Sequence, residues 1–244
     1  MPEATGNSFL DSLPSTTRVR LLPALQKTLI TSGLIIGEAG APIEQIVFPI
    51  RSIISTVTEM VDGSAVEVGF TGHEGFGGLS IAFGSKMNTH SIVVQIPDSA
   101  YQIDAQFFLA QMNVDAVLKE RALAYAEYAF IAAAQYAACN RLHPIEQRYA
   151  RWMLMAHDRV GADEYSLTHE FVAQMLGVRR PAVTIVAGSL SKSSIIAYNR
   201  ARVRVLDVSA LEATACECYG ALTAHLKRLM GYGPRFSNHL SQVI

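Results

Sequence analysis

Long hydrophobic runs are missing from this 244-residue chain, although half of its residues are hydrophobic. No stretch reaches the roughly 20 apolar residues needed to span a bilayer. The most apolar-looking segment, residues 122–138, is interrupted by Glu127 and Gln135. The first residues, MPEATGNSFLDSLP, show no charged start followed by an apolar block, so no secretory signal is expected. Cysteine is scarce: there are only Cys139, Cys216 and Cys218. An odd, small number argues against a disulfide scaffold and fits a reducing cytoplasm.

Catalytic signatures are missing as well. The seven histidines, at 73, 90, 143, 157, 169, 225 and 239, form no HxxxH or HExxH pair. The glycine-rich GHEGFGG is followed by no GK[ST], so it is no phosphate loop, and no GxSxG nucleophile motif is present. Cys216-x-Cys218 is spaced too closely for a zinc knuckle and has no second pair, so it reads as part of a packed C-terminal helix. These absences point away from an enzyme and leave no expected metal, cofactor or catalytic residue. Neither an internal repeat nor a low-complexity segment is visible.

What is present is concentrated in THEFVAQMLGVRRPAVTIVAGSL, residues 168–190. Small or apolar residues stand where two crossed helices must touch: Val172, Ala173, Leu176, Val178, Val183 and Val186. Gly177 stands where the chain must turn sharply, a place that glycine fills at least cost. Thr168 can cap the first helix, and Glu170 lies in its first turn, where the helix dipole favours an anion. Arg179, Arg180 and Pro181 open the second helix, and proline is tolerated in a first turn. This spells a helix-turn-helix whose second helix offers two adjacent arginines to a DNA groove.

Charge supports that placement. Residues 1–140 hold 7 Lys/Arg against 13 Asp/Glu, residues 141–210 hold 10 against 6, and residues 211–244 hold 3 against 2. The basic surplus therefore falls in the part that contains the helix-turn-helix, where phosphate attraction needs it.

Upstream, residues 8–32 read as one or two short helices broken by Pro14 and Pro23. From Leu34 to Ile103, short β-rich runs alternate with glycine turns, with Asp62-Gly63 as a hairpin signal. This pattern predicts a small antiparallel barrel or jelly roll. A long helix is expected from Val114 to Asn140 with two apolar stripes. One runs Leu118, Ala122, Tyr125, Ala129, Ala132, Tyr136, Cys139, and the other Leu123, Ala126, Phe130, Ala133, Ala137. Two stripes imply two partners, the β-domain and a second copy of the chain, with a helix buried within one monomer as the alternative. A further helix is expected from His143 or Pro144 to about Val160. After the helix-turn-helix, IIAYNRARVRVLD reads as a hairpin with Arg200, Arg202 and Arg204 on one strand face. Residues from Ser209 onward read as mostly helical, with a break at GYGPR.

The order β-roll, long helix, helix-turn-helix, wing resembles the Crp/Fnr regulators, those related to the cyclic AMP receptor protein. The likeness covers about residues 8–215 and is strongest in ACNRLHPIEQRYARWMLMAHDRV and LTHEFVAQMLGVRRPAVTIVAGSL, weaker in DGSAVEVGFTGHEGFGG. It implies an α+β chain in four parts. These are a cyclic-nucleotide-binding-like antiparallel β-roll (1–113), a dimerisation helix (114–140), a winged helix-turn-helix (141–210) and a helical extension (211–244). It implies a cytoplasmic, homodimeric transcription regulator, with double-stranded DNA, a second copy and RNA polymerase as partners and no membrane. A ligand-binding or interaction module that has lost specific DNA binding remains the alternative. Arg179, Arg180 and Thr184 are expected to face the bases, Ser166 and Thr168 the phosphates. Ser189, Lys192, Arg200 and Arg202 are further phosphate candidates. Ile185 stands where relatives carry a further polar reader of bases.

The departures bear on the effector. Cyclic-nucleotide binders of the family hold the ligand with a Gly-Glu and an Arg-Ser or Arg-Thr pair. Here Gly77, Gly78 and Leu79 stand at the first place and His90-Ser91 at the second, so carboxylate and arginine are both missing. A buried cyclic phosphate needs a fixed cation, for which arginine is best suited. Control by cyclic AMP or cyclic GMP is therefore not expected. No cysteine precedes Cys139, which excludes the N-terminal iron–sulfur cluster of the family's oxygen sensors. His73, His90 and Cys139 are conceivable haem ligands, but no ligand pair is visible.

Overall fold

The computed structural model describes residues 3–233. Two short helices open the chain, α1 (Ser8–Asp11) and α2 (Ser15–Leu21). Asn7 caps α1 through its side chain, and Pro14 stands at the N-cap position of α2 without a side-chain cap. A strand follows directly where a helix remnant was expected: β1 (Gln26–Ile30) begins after a 3-10 turn at Leu22–Ala24 that contains Pro23.

Six more strands complete a roll: β2 (Ile35–Gly37), β3 (Gln45–Pro49), β4 (Ile53–Glu59), β5 (Ala65–Thr71), β6 (Ser91–Ile96) and β7 (Asp98–Asp104). They form two antiparallel sheets, ordered β1-β7-β3 and β2-β6-β4-β5. The alternating pattern read from the sequence thus becomes a two-sheet β-roll. Asp62-Gly63 does lie between β4 and β5, but in a five-residue connection: the Asp62 carboxylate accepts from the Ser64 amide (2.9 Å) and hydroxyl (2.6 Å). An aromatic cluster of Phe9, Phe48, Phe76, Phe108 and Tyr125 fills one end of the roll, with neighbouring rings 4.9 to 6.4 Å apart.

The sequence pattern missed α3 (Ala105–Val114), whose N-cap Asp104 accepts from the Phe107 amide at 2.7 Å. Its AQFFLAQMNV has no clean 3.6-residue stripe, so only its cap marked it. Asp115 then breaks the chain and caps α4 (Ala116–Leu142), accepting from the amides of Val117 and Leu118 while also binding Thr17 and Arg20.

From the first expected stripe of α4, Leu118, Ala122, Tyr125, Ala132, Tyr136 and Cys139 are buried. From the second, Leu123 and Phe130 are exposed and only Ala126 is buried.

α5 (Ile145–Val160) is enclosed on all sides from Arg148 to Val160. Trp152 meets Phe70 of the roll edge-on at 5.3 Å. Burying a side chain of this size contributes on the order of 3 kcal/mol. The chain continues through β8 (Glu164–Ser166), α6 (His169–Leu176), α7 (Arg180–Lys192), β9 (Ile196–Asn199) and β10 (Arg202–Val205), the strands forming a sheet ordered β8-β10-β9.

Two helices end the described chain, α8 (Val208–Thr214) and α9 (Cys218–Met230). Cys216 falls in the break between them and Cys218 starts α9, so the two do not share one helix as expected. α9 packs on α4 of its own chain, where Arg121 donates to the Met230 carbonyl at 3.1 Å. The break expected at GYGPR begins at Gly231, which ends α9 with a positive φ. The remainder of that segment lies outside the described residues. No helix among them is long and apolar enough to cross a membrane.

Candidate nucleic-acid interface

The helix-turn-helix is built by the residues its sequence singled out. The Thr168 hydroxyl accepts from the Phe171 amide at 3.2 Å and starts α6. Gly177 ends it with φ +60°, the left-handed value that glycine adopts without steric penalty. The Val178 amide closes back on the Ala173 carbonyl (2.9 Å) and the Gly177 amide on that of Gln174 (3.2 Å), which makes a Schellman motif. Val172, Ala173, Leu176, Val183 and Val186 are buried at the crossing, and Val178 is partly buried beside them.

This packing leaves Arg179, Arg180, Thr184 and Ile185 on the outer face of α7. Arg179 is the N-cap and Pro181 lies in the first turn. The Arg180 side chain is 66% exposed and its Nε lies 3.8 Å from a Glu170 oxygen. An exposed pair at that distance is worth little and does not hold the guanidinium in. Thr184 is more engaged than expected: its hydroxyl donates to the Arg180 carbonyl (3.2 Å) and meets His169 Nδ1 at 3.1 Å. Burial, and secondarily the Arg180 charge, push the His169 pKa below its ordinary value.

Ser166, Thr168, Ser189 and Lys192 are placed by the ends of β8, α6 and α7, and all four are exposed. Ser166 and Thr168, with Phe171 and Ala201, also line a cleft of about 210 Å³ against Ser32, Gln95 and Pro97 of the roll. Ile185 is exposed at 74%, although it is apolar. Its outward position between the inward-facing Val183 and Val186 was the available signal that it belongs to the interface.

The wing departs from expectation in two ways. Arg200 is not on the strand with Arg202 and Arg204. It shares the tip of the β9–β10 turn with Ala201, and both have positive φ (45° and 63°). Two left-handed central residues are what a tight two-residue hairpin requires, usually of Asn or Gly. Without glycine this costs roughly 1–2 kcal/mol per residue, partly offset where the Leu167 amide donates to the Ala201 carbonyl (2.8 Å). Arg202 and Arg204 do share a face, but both pair with Glu164 on β8, at 3.1 Å and 2.5 Å. One carboxylate thus offsets part of the wing's positive charge.

The expected effector residues divide as well. Gly77 and Gly78 serve packing: a Cβ on Gly77 would lie 2.6 Å from the Ile54 side chain and one on Gly78 2.8 Å from Ile46. Ser91 is buried, and its hydroxyl accepts from the Ala39 amide at 3.3 Å. Leu79 and His90 line the larger cavity between roll and α4, about 210 Å³, together with Thr56, Val68, Phe130 and Ala133 among others, and Gly77, Gly78 and Leu79 line a smaller one of about 40 Å³ beside Tyr125 and Ala129. The lining of the larger cavity contains no arginine or lysine and is mainly apolar.

Residues 147–214 match the family model described as the Crp-like helix-turn-helix domain. The chain carries a Crp-like helix-turn-helix domain. Over about four-fifths of the chain, the fold of β-roll, long helix and helix-turn-helix is similar to that of solved Crp/Fnr regulators. FixK2 from Bradyrhizobium japonicum superposes with TM-score 0.67 at 13% identity, over 79% of this chain and 98% of that one. A Crp-family transcriptional regulator from Thermus thermophilus gives 0.64 at 18% identity, over 77% and 96%. The c-di-GMP-responsive global regulator CLP of Xanthomonas campestris gives 0.59 at 15%, over 79% and 99%. No curated protein matches the chain in sequence.

Proposed function

We propose that this protein is a DNA-binding transcription regulator that grips a roughly palindromic operator as a homodimer, without control by cyclic AMP. The observation that carries the reading is the outward presentation of Arg179 and Arg180 at the N-terminus of α7 within the Crp-like domain. A recognition helix docks by those first residues, and arginine reads guanine through two parallel hydrogen bonds. Ile185, one turn on, suits a thymine methyl. Ser189, Lys192 and the wing tip at Arg200 supply phosphate contacts that fix register. Anisotropy titration of labelled DNA from upstream of the protein's own gene tests this. Binding at physiological salt that falls steeply as salt rises, and that exceeds binding to a scrambled duplex, is the expected result. Equal weak binding to both duplexes would leave an interaction module of the same fold.

Dimerisation is supported by the second stripe of α4. Leu123 and Phe130, 40% and 74% exposed, lie near Phe83 at 69%. The small Ala133, half-buried, and Ala137, exposed, on the same stripe permit close approach of a second helix. A sequence that places such residues on one exposed face fits burial against a copy of itself. Phe130→Glu is expected to turn a dimer into a monomer in sedimentation velocity at micromolar concentration. An unchanged sedimentation coefficient would move the dimer interface elsewhere.

Independence from cyclic nucleotides is supported by the apolar, arginine-free lining of the roll cavity. A cyclic phosphate moved there from water would lose its hydration without gaining a fixed cation. Isothermal calorimetry with cyclic AMP and cyclic GMP is expected to show no heat of binding at micromolar concentrations. A micromolar isotherm for either would overturn this part of the reading.

A further inference from the structure

Three cysteines and a histidine, remote in sequence, converge where α4 ends. Cys139 lies in the last turn of α4, and His143 follows the helix end four residues later, so both project to the same side. The packing of α9 along α4 brings the other two: Gln135 Nε2 donates to Cys218 Sγ at 3.0 Å. Cys139 Sγ lies 3.5 Å from Cys216 Sγ, and Cys218 Sγ lies 3.6 Å from His143 Nδ1. The four potential ligand atoms all fall within 4.8 Å of one another.

We propose that Cys139, His143, Cys216 and Cys218 bind one zinc ion in a closed, tetrahedral Cys3His site. A tetrahedron with Zn–S of about 2.3 Å and Zn–N of about 2.0 Å has edges of about 3.5–3.8 Å; the Cys139–Cys216 and Cys218–His143 separations match these, and the other pairs, within 4.8 Å, close to them by small side-chain rotations. A four-iron cubane would need its cysteines spread around a much larger core, so this cluster is too tight for one. Hard ions such as magnesium and calcium want oxygen ligands, and the four donor atoms are sulfur and nitrogen.

The surroundings fit the same ion. The three cysteines are buried, and four protein ligands leave no open position, as in structural rather than catalytic zinc sites. His143 Nε2 meets Glu217 Oε1 at 3.1 Å. The carboxylate thereby accepts the Nε2 proton and turns Nδ1 toward the sulfurs, an arrangement common at zinc. Three thiolates and a dication carry one net negative charge. Arg148 and Arg151 on α5 lie within electrostatic reach of Cys139, and neither forms a salt bridge among the described residues. Binding displaces the three thiol protons to solvent.

The ion would join the end of α4, the α4–α5 joint at His143 and the α8–α9 break. This cross-links the helix that carries the exposed stripe to the helices flanking the Crp-like domain. Metal binding at this cluster requires no DNA.

Full-length protein, reduced and stripped with chelator, is titrated anaerobically with Co2+. One ion per chain is expected, with the strong visible bands of tetrahedral cobalt and sulfur-to-metal charge transfer, displaced by one equivalent of Zn2+. Metal analysis of protein purified without chelator is expected to give about one zinc per chain. The double variant Cys216→Ser/Cys218→Ser is expected to lose the bands, and Glu217→Gln to weaken zinc affinity by about tenfold. Should the double variant not fold, the wild-type cobalt spectrum decides alone. Weak octahedral bands, no uptake at one equivalent, bound iron with sulfide, or a Cys139–Cys216 disulfide with no uptake after reduction would each overturn the proposal.

Discussion

Arg180→Ala lowers affinity for the operator duplex by about 10–100-fold, and Arg180→Glu abolishes specific binding. The magnitude follows from the loss of one bidentate arginine–guanine pair, about 1–3 kcal/mol. Charge reversal adds repulsion from the phosphates to that loss. Stability is expected to stay near wild type, because the side chain is exposed and its ion pair with Glu170 is long. A Lys192→Ala variant serves as the contrast. It should weaken specific and non-specific binding alike and reduce the salt slope by about one, without changing sequence preference. Equal operator affinity for Arg180→Ala and wild type would remove Arg180 from the base-reading surface.

Glu74→Ala destabilises the fold by about 3–5 kcal/mol, with a melting temperature lower by about 10 °C. Arg159 on α5 and Glu74 in the roll pair at 2.8 Å, with side chains only 5% and 1% exposed. Burial alone would lower the Arg159 pKa, but the Glu74 carboxylate, with the Tyr128 and Tyr136 hydroxyls, holds it well above its ordinary value. The guanidinium also donates to the Tyr128 hydroxyl at 3.2 Å and the Met155 carbonyl at 3.3 Å, and lies over the Phe70 ring at 5.1 Å. Removing Glu74 leaves a buried cation without its counterion, the costly half of such a pair. The double variant Glu74→Gln/Arg159→Met is expected to recover most of the loss. The introduced side-chain carbonyl can still accept from the Gly72 amide, which in the wild type donates to the Glu74 carboxylate at 3.1 Å. Melting curves for the single and double variants decide it. A Glu74→Ala protein that melts within a degree of wild type would show that this contact does not join roll to α5 energetically.

The helix-turn-helix was legible because each of its local signals acts within a few residues. The Thr168 cap, the Gly177 turn and the apolar set around Ala173 and Val183 depend on short-range geometry. The β-roll was legible from alternation and turns, though α3 escaped for want of a stripe. What escaped elsewhere depends on residues far apart in sequence. Glu164 meets Arg202 and Arg204 only because β8 lies beside β10, so the wing arginines looked freer than they are. Gly77 and Gly78 were read as the remnant of a ligand site, and their close approach to Ile54 and Ile46 across the roll, which sequence spacing does not reveal, is a further reason for glycine there. The cysteine-histidine cluster was half visible: Cys139 and His143 are one helical turn apart, but Cys216 and Cys218 reach them only through the packing of α9. Short CxC spacing, judged alone, concealed the four-residue set.

The most direct test of the central reading is selection of full-length protein on a pool of randomised duplexes. Two arginine-bearing helices presented by one two-fold assembly predict enriched sequences with two inverted half-sites. Their centres should be about one helical turn, roughly 10–10.5 base pairs, apart. Guanine should recur at the half-site position that is lost when the selection is repeated with Arg180→Ala. Failure to enrich any sequence from protein that is folded and dimeric, or enrichment of a single half-site unaffected by Arg180→Ala, would contradict it.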